Sequence, residues 1–264
     1  SSNNLTIGDD LTIVTTGYSA DGLNLAVTGA SNLVVGDRAN ITTTSGVAVR
    51  ANLSNQTGNG GKNVITLGEN ATIVTQANGE NTSQGLGYGI YAGNRTMETE
   101  GMPQVSSAEV TVGNGSVIQT AGNSAVYANK TGEIYLGNTT ITTTGSTAHG
   151  LAAEDGEVWS GSTLNCLLGN ASCIKQSFEG GKIHLAGDTT ITVDSSKGSY
   201  AIFSSGTGSS IASEKADGTS VAGVYNVTGD IVAKKEGQIV LNANGASQFT
   251  GNLVSDNAGS LVQL

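Results

Sequence analysis

The stretch Ile134–Thr144, with the sequence IYLGNTTITTT, contains two short segments separated by a glycine and an asparagine. In each segment apolar residues alternate with polar ones, which is typical of a β-strand with one buried face. Glycine and asparagine favour the backbone conformations of tight turns. The stretch therefore predicts two strands joined by a short corner.

The same phrase recurs along the chain, and this repetition is the main signal in the sequence. An apolar triplet is followed by glycine with aspartate, asparagine or glutamate, and then by a second segment rich in threonine. Copies of the triplet begin at Leu5, Leu33, Ile65, Val110, Ile134 and Ile183. A third short segment follows at 47–49, 89–92, 125–128, 150–153 and 200–203. Three short strands in roughly 24 residues indicate one coil of a parallel β-helix.

We therefore predict an all-β chain that forms a single right-handed parallel β-helix with three short strands per coil, spanning 1–264 as one domain. Stacking at about 4.8 Å gives about nine coils and a rod about 45 Å long. Glycine and asparagine are expected to supply positive φ angles at the corners. A β-sandwich is the alternative, but Asn-Gly hairpin signals between equal strands are few.

Longer segments interrupt the repeat at 52–63, 94–107, 157–180 and 204–220, and we expect all of them to project from the corner after the third strand. Loops on one edge of a solenoid often carry binding residues. The candidate ligand-binding residues in and beside these loops are Asn94, Arg95, Glu154, Asp155 and Trp159.

Two roles are expected for three of the aromatic residues. Trp159 is the single tryptophan, and it either stacks on a sugar ring or anchors a loop while half-buried. Tyr91 and Tyr127 occupy equivalent positions in successive coils, which predicts a stacked pair.

The two cysteines, Cys166 and Cys173, bracket a short segment that suits a local disulfide. A zinc site needs about four ligands, and the two histidines show no metal spacing relative to this pair. We expect an oxidised hairpin that stands off the loop-bearing corner, outside the core, in a protein exported from the cytoplasm. Two reduced structural thiols are the alternative.

The formal net charge is −10, and the longest basic run is Lys234-Lys235. Nucleic acids and anionic membranes attract clustered cations, so neither is an expected partner. No stretch approaches the roughly 20 apolar residues of a membrane-spanning helix. The N-terminus carries no export signal, so we expect any such signal to have been removed.

The repeats resemble the pertactin-like and AIDA-type passenger domains of Gram-negative autotransporters, including the antigen 43 group of self-associating adhesins. The resemblance covers nearly the whole chain and rests on the Gly-Asn/Asp-x-x-Ile-x-Thr-Thr-x-Gly phrase, on strands such as 227–231, and on the close cysteine pair. It implies a surface passenger, anchored at the outer membrane or secreted, that is a fragment of a longer protein lacking its translocator β-barrel.

The sequence contains no positive sign of catalysis. A Gly-Asp-Ser-Gly nucleophile segment, a Walker loop and a calcium nonapeptide are all missing, and no cofactor or metal is expected. Asp9, Asp37, Glu69 and Asp188 recur beside glycine and are predicted to be turn residues. The acidic segment 154–157 is a candidate for binding a metal or a sugar.

We expect an adhesin, active in attachment, autoaggregation or biofilm formation, that binds a host glycan, a matrix protein or an identical chain on a neighbouring cell. A polysaccharide-acting enzyme is the first alternative, and it predicts carboxylates and a lysine or arginine converging across adjacent coils. A passive stalk that presents a distal domain is the second.

Overall fold

The computed structural model describes residues 3–26, 30–52, 61–76, 87–93, 107–129, 131–145, 148–154, 156–166, 173–176, 180–193, 200–215, 217–256 and 259–264, of which 161–166 and 175–176 are described by their backbone only. All regular secondary structure in these ranges is β-strand. Within them, no helix is long and apolar enough to cross a membrane.

The strands, numbered in chain order, form three columns. The first column contains β1 (Asn3–Ile7), β4 (Ser31–Val35), β7 (Lys62–Leu67), β10 (Ser107–Val112), the first halves of β13 (Gly132–Thr143) and β15 (Glu157–Cys166), β17 (Lys182–Leu185), β20 (Ser210–Ala212), β23 (Gln238–Val240) and β26 (Leu261–Gln263).

The second column contains β2 (Thr12–Thr15), β5 (Asn40–Thr43), β8 (Thr72–Thr75), β11 (Ser116–Thr120), the second halves of β13 and β15, β18 (Thr189–Thr192), β21 (Tyr225–Thr228) and β24 (Gln248–Thr250). The third contains β3 (Leu23–Leu25), β6 (Val49–Asn52), β9 (Ile90–Gly93), β12 (Val126–Asn129), β14 (Leu151–Glu154), β16 (Ile174–Gln176), β19 (Tyr200–Ser205), β22 (Asp230–Lys234) and β25 (Leu253–Ser255).

Each strand pairs in parallel with the equivalent strand of the next coil, and every pairing between named strands in the described ranges is of this kind. The first and second columns form one 17-stranded sheet, and the third forms a nine-stranded sheet. The predicted parallel β-helix with three strands per coil is confirmed, and the β-sandwich is excluded.

The core is a set of inward ladders of branched aliphatic side chains. Equivalent positions in successive coils are buried: Leu33, Ile65, Val110, Ile134, Val158, Ile183, Ile211 and Ile239 in the first column, Ile41, Ile73, Ile118, Ile141, Ile191 and Val227 in the second. Fully burying one such side chain stabilises the fold by about 1.5–3 kcal/mol. Their repetition explains why one apolar pattern is repeated along the sequence.

The corner between the first and second strands is held by caps that run from one coil to the next. The carboxylate of Asp9 accepts a hydrogen bond from the backbone amide of Asp37 at 3.0 Å, and Asp37 accepts one from Glu69 at 2.8 Å. Asp188 does the same for the amide of Val224 at 2.9 Å. These acids are therefore turn residues, as the sequence predicts, because each satisfies a backbone donor of its neighbouring coil.

The glycine of this corner is required for space. A Cβ at Gly68 would lie 2.2 Å from the Asp37 carboxylate oxygen. The positive φ angle is instead found two residues later, at 59° for Arg38 and 58° for Asn70. The expectation that glycine supplies this conformation is therefore wrong for the repeated Gly-Asp corner, where glycine allows close approach between coils.

The predicted insertions after the third strand are only partly supported. The segments 52–63 and 94–107 do lie between a third and a first strand. The segment 157–180 instead contains β15 and β16, and 204–220 contains β20, so both include parts of the solenoid wall. The long connection at 213–224 joins a first strand to a second strand, so extra length is found at more than one corner.

Cys173 is disulfide-bonded, and the only other cysteine in the chain is Cys166. Cys173 is fully buried in the core, and its backbone amide donates to the carbonyl of Tyr200 at 3.0 Å. Cys166 ends β15 in register with Thr143. The expected hairpin outside the core is therefore wrong: both cysteines belong to the wall and bracket the corner between its second and third strands.

Candidate binding site

Of the binding residues predicted from sequence, the structure describes two, Glu154 and Trp159, and they lie on different faces of the solenoid. Asn94, Arg95 and Asp155 lie outside the described residues. Glu154 ends β14, and its carboxylate accepts a hydrogen bond from the phenol of Tyr127 one coil earlier. Trp159 lies in β15, on the outward side of the first column, and is only 8% exposed.

Trp159 is the centre of a ring stack on the first-strand face. Tyr135, Trp159 and His184 occupy the same position in three successive coils. The ring centroids of Tyr135 and Trp159 are 4.4 Å apart with planes inclined by 6°, and those of Trp159 and His184 are 4.6 Å apart and inclined by 9°. Both faces of the tryptophan are therefore covered, which excludes sugar stacking on Trp159 and gives it a structural role in the wall.

An acid row runs beside this ring stack. Glu109, Glu133 and Glu157 are in register in three successive coils, and Lys182 follows them in the next coil. Like charges stacked this closely repel each other. The row is stabilised at both ends by lysines, since Lys62 contacts Glu109 at 2.5 Å and Glu133 at 3.0 Å, and Lys182 contacts Glu157 at 3.2 Å.

His184 joins the ring stack to a neighbouring loop. Its Nδ1 atom is hydrogen-bonded to Glu214, and its Nε2 atom lies 3.5 Å from a carboxylate oxygen of Glu157. Glu214 belongs to the 213–224 connection, where it forms an antiparallel bridge with Ser220. The imidazole thus holds the start of this connection against the first-strand face.

Burial and neighbouring charges shift the pKa values of Lys62, Glu157 and Tyr135 on this face. Partial burial lowers the pKa of Lys62, but its hydrogen bonds to Glu109 and Glu133 outweigh that effect and the net pKa is raised. His184 lowers the pKa of Glu157, against the desolvation of the carboxylate and with further help from Lys182. Partial burial and the nearby glutamates raise the pKa of Tyr135 to about 12.

A second cluster lies on the third-strand face. The predicted stack of Tyr91 on Tyr127 is confirmed, with centroids 5.7 Å apart, and Tyr88 packs against both rings. The guanidinium of Arg50 lies 5.5 Å from the centre of the Tyr91 ring and 2.9 Å from Asp21. Arg50 and Tyr91 are both buried, so this cluster packs the wall.

The second-strand face is polar and regular. From β13 onward its outward positions carry hydroxyl or amide groups in two columns, which we call the hydroxyl face: Thr140, Thr142, Thr190, Thr192, Asn226, Thr228, Gln248 and Thr250. Equivalent positions are in register between β18, β21 and β24, which places the groups at a spacing of about 4.8 Å. This face offers many equivalent hydrogen-bonding groups.

The acid row and the ring stack were missed in the sequence, although a signal was present. The phrase Glu-apolar-polar or Glu-apolar-aromatic occurs at 109–111, 133–135 and 157–159, in successive first strands. Among the described side chains, no group of three or more His, Cys, Asp or Glu residues is arranged to hold a metal ion. The acidic segment 154–157 supplies Glu154 to the third-strand face and Glu157 to the first, so these two do not form one site.

No family model, no curated protein and no solved structure matches this chain.

Proposed function

We propose that this chain is a non-catalytic adhesive module of a bacterial cell surface, which binds its partner along the flank of the solenoid. The observation that carries the proposal is the hydroxyl face. Its groups repeat in register over several coils, and the repeat matches the spacing of the coils themselves. A surface of this kind suits an extended or repetitive partner, such as a glycan, a matrix protein or an identical chain.

The hydroxyl face favours binding by many weak contacts. One hydrogen bond of this kind contributes about 0.5–1.5 kcal/mol. Several of them acting together increase the apparent affinity far beyond that of one contact. Adhesion should therefore depend on the whole column and little on any one threonine.

The disulfide of Cys173 supports a location outside the cytoplasm, because disulfides persist in oxidising compartments. The net charge of −10 gives no attraction to nucleic acid or to an anionic bilayer. Both observations agree with export to the cell surface.

The test is to display residues 1–264 on a non-adherent bacterium and to measure settling and binding to cells, matrix proteins and glycans. Replacing Thr142, Thr192, Thr228 and Thr250 together by alanine should reduce binding at least about tenfold, whereas Thr192→Ala alone should change it less than about twofold. Replacement of the same four by serine is the matched control and should retain binding. Absence of any clumping or attachment by the displayed parent chain would overturn the proposal.

A polysaccharide-cleaving enzyme is the second candidate, and one observation favours it. Lys62 and two carboxylates of the acid row converge across adjacent coils, which is the arrangement that such an enzyme requires. Against it, the raised pKa of Lys62 keeps the ammonium protonated, whereas a lysine acting as a general base needs a lowered pKa. Release of new sugar ends from a polysaccharide, abolished by Lys62→Met, would establish this candidate.

A further inference from the structure

The ring stack ends abruptly at Tyr135. On one side its ring is covered by Trp159, as described above. On the other side the in-register residue is Thr111, followed by Thr66 in the coil before it. The threonine side chain extends only one bond beyond Cβ, so it cannot cover the outer part of a tyrosine ring. Among the described residues, no second aromatic ring packs on this side of Tyr135.

Polar groups lie beside this half-buried ring. Tyr135 is close enough to Glu133, Glu109 and Lys62 for their charges to act on its phenol. The hydroxyl of Thr111 lies 3.5 Å from a carboxylate oxygen of Glu109. The open face of the Tyr135 ring and the shorter side chains of Thr111 and Thr66 beside it therefore form a step in the first-strand face. Charged hydrogen-bonding groups lie along one side of this step.

The geometry points to this step as a binding site for one neutral hexopyranose unit of a polysaccharide. A pyranose ring presents an apolar face of C–H groups, and an aromatic ring with a polar edge accommodates such a face while its surroundings bind the hydroxyls. Here Glu109, Glu133 and the ammonium of Lys62 are placed to accept from and donate to those hydroxyls. The ring of Tyr135 is nearly parallel to Trp159, so the sugar lies as the next layer of the stack.

The charges of the step determine which sugars fit. Two carboxylates and one ammonium give the step a net negative charge, and the pKa of the nearest acid beyond it, Glu157, is lowered. Anionic sugars such as uronates are therefore repelled, and neutral hexoses or N-acetylhexosamines are preferred. This selectivity separates the step from a uronate-cleaving groove.

The inference rests on the proposed function, since both assume binding without cleavage, but it concerns a different face from the hydroxyl face. The test uses the purified chain and soluble tetrasaccharides of β-linked glucose, galactose or N-acetylglucosamine, with a galacturonate tetrasaccharide for comparison. Trp159 is the only tryptophan and contacts Tyr135, so its fluorescence reports on the step. At least one neutral sugar should change this emission and bind at least about tenfold more tightly than galacturonate.

Three variants make the test specific. Tyr135→Ala should weaken binding at least about tenfold, whereas Tyr135→Phe should retain it within about threefold, because the ring face is kept. Thr111→Tyr extends the ring stack by one layer, covers the open face of Tyr135 and should abolish binding in a folded chain. Tyr18→Ala, at a tyrosine remote from the step and 62% exposed, is the control and should bind as the parent does.

Unchanged binding by Thr111→Tyr would overturn the inference, and so would the absence of any response to the neutral sugars. In either case the hydroxyl-face variants still decide the proposed adhesive function by cell attachment. Loss of attachment in those variants together with a silent sugar titration would reject the step alone. If the neutral sugars bind and the hydroxyl-face variants attach as the parent chain does, sugar binding is located at the step and adhesion through the hydroxyl face is rejected.

Discussion

The first-strand face and the second-strand face belong to the same 17-stranded sheet, yet their outward residues differ in kind. The second-strand face carries threonine, asparagine and glutamine in nearly every coil beyond β13. The first-strand face is more varied, with exposed Val34 and Val240 among its outward residues, and it departs furthest from polar uncharged residues in the consecutive coils that carry the acid row and the ring stack. The inward residues of both faces are equally regular, so the packing of the core does not require this departure.

Outward positions that repeat from coil to coil therefore follow from the architecture. Outward positions that depart from the repeat indicate selection for a property other than folding. Three stacked glutamates repel one another and need Lys62 and Lys182 to offset their charge. The coils on either side carry small residues, such as Thr66 and Ala212, at the ring-stack position. A local exception that the packing of the core does not require is where we expect a specific ligand to bind.

The largest effect is expected in the interior that both faces share. Ile141 is fully buried, in register with Ile118 in the preceding coil and Leu164 in the next, and Ile141→Ala should lower the free energy of unfolding by about 3 kcal/mol. Thr140→Ala, one residue earlier on the exposed side, should change it by less than about 0.5 kcal/mol. Denaturant unfolding followed by circular dichroism measures both. Equal effects at the two positions would show that the inside and outside of this strand are wrongly assigned.

The next effect concerns the disulfide corner. Replacing Cys166 and Cys173 together by alanine should destabilise the fold by about 2.5 kcal/mol, because the short loop loses its covalent closure within the wall. Thr75→Ala is a matched control at the same register position, where the hydroxyl donates to the carbonyl of Gly87 across the corner at 3.0 Å. Its loss should cost about 1 kcal/mol. A double variant that melts like the parent would contradict the placement of the pair in the wall.

The smallest effect distinguishes the charged face from the neutral one through pH. The folded chain lowers the pKa of Glu157 below its ordinary value of 4.5, so this carboxylate stabilises the fold above that value and the contribution is lost as the pH falls through the lowered pKa. Unfolding measured from about pH 6 to about pH 3 should therefore show a shallower loss of stability in Glu157→Gln than in the parent. Identical slopes would mean that the acid row is not coupled to folding.

The architecture could be predicted from the sequence because every coil solves the same packing problem with the same residue types. The triplets at Ile65 and Ile134 and the threonine-rich second strands were all recognised in this way. The ring stack was not predicted, because the sequence of the coil that contains Trp159 departs from the repeated phrase. Ser160 occupies the position of the last apolar residue of the triplet. Gly137 has no counterpart in that coil, so the Gly-Asn corner is shortened.

The sequence pattern could not predict which side chains contact each other across coils. Lys62 and Glu133 are 71 residues apart in the chain, and their contact depends on how many residues each intervening corner contains. The alternation of a strand fixes which side chains point outward. It does not fix which outward side chains become neighbours until every coil, including the irregular ones, has been counted.

The caps at the first corner have a consequence for how such a chain can change in length. They join residues 28, 32, 24 and 36 positions apart, at Asp37, Glu69, Asn138 and Val224, yet each cap makes the same single hydrogen bond to the coil that follows. The height of the rod therefore depends on the number of coils, and the number of residues in each coil is free to vary. A whole coil can be gained or lost by duplication or deletion because the coils on either side present matching strands and a matching cap to each other, whereas a loop can lengthen without moving the coils above it.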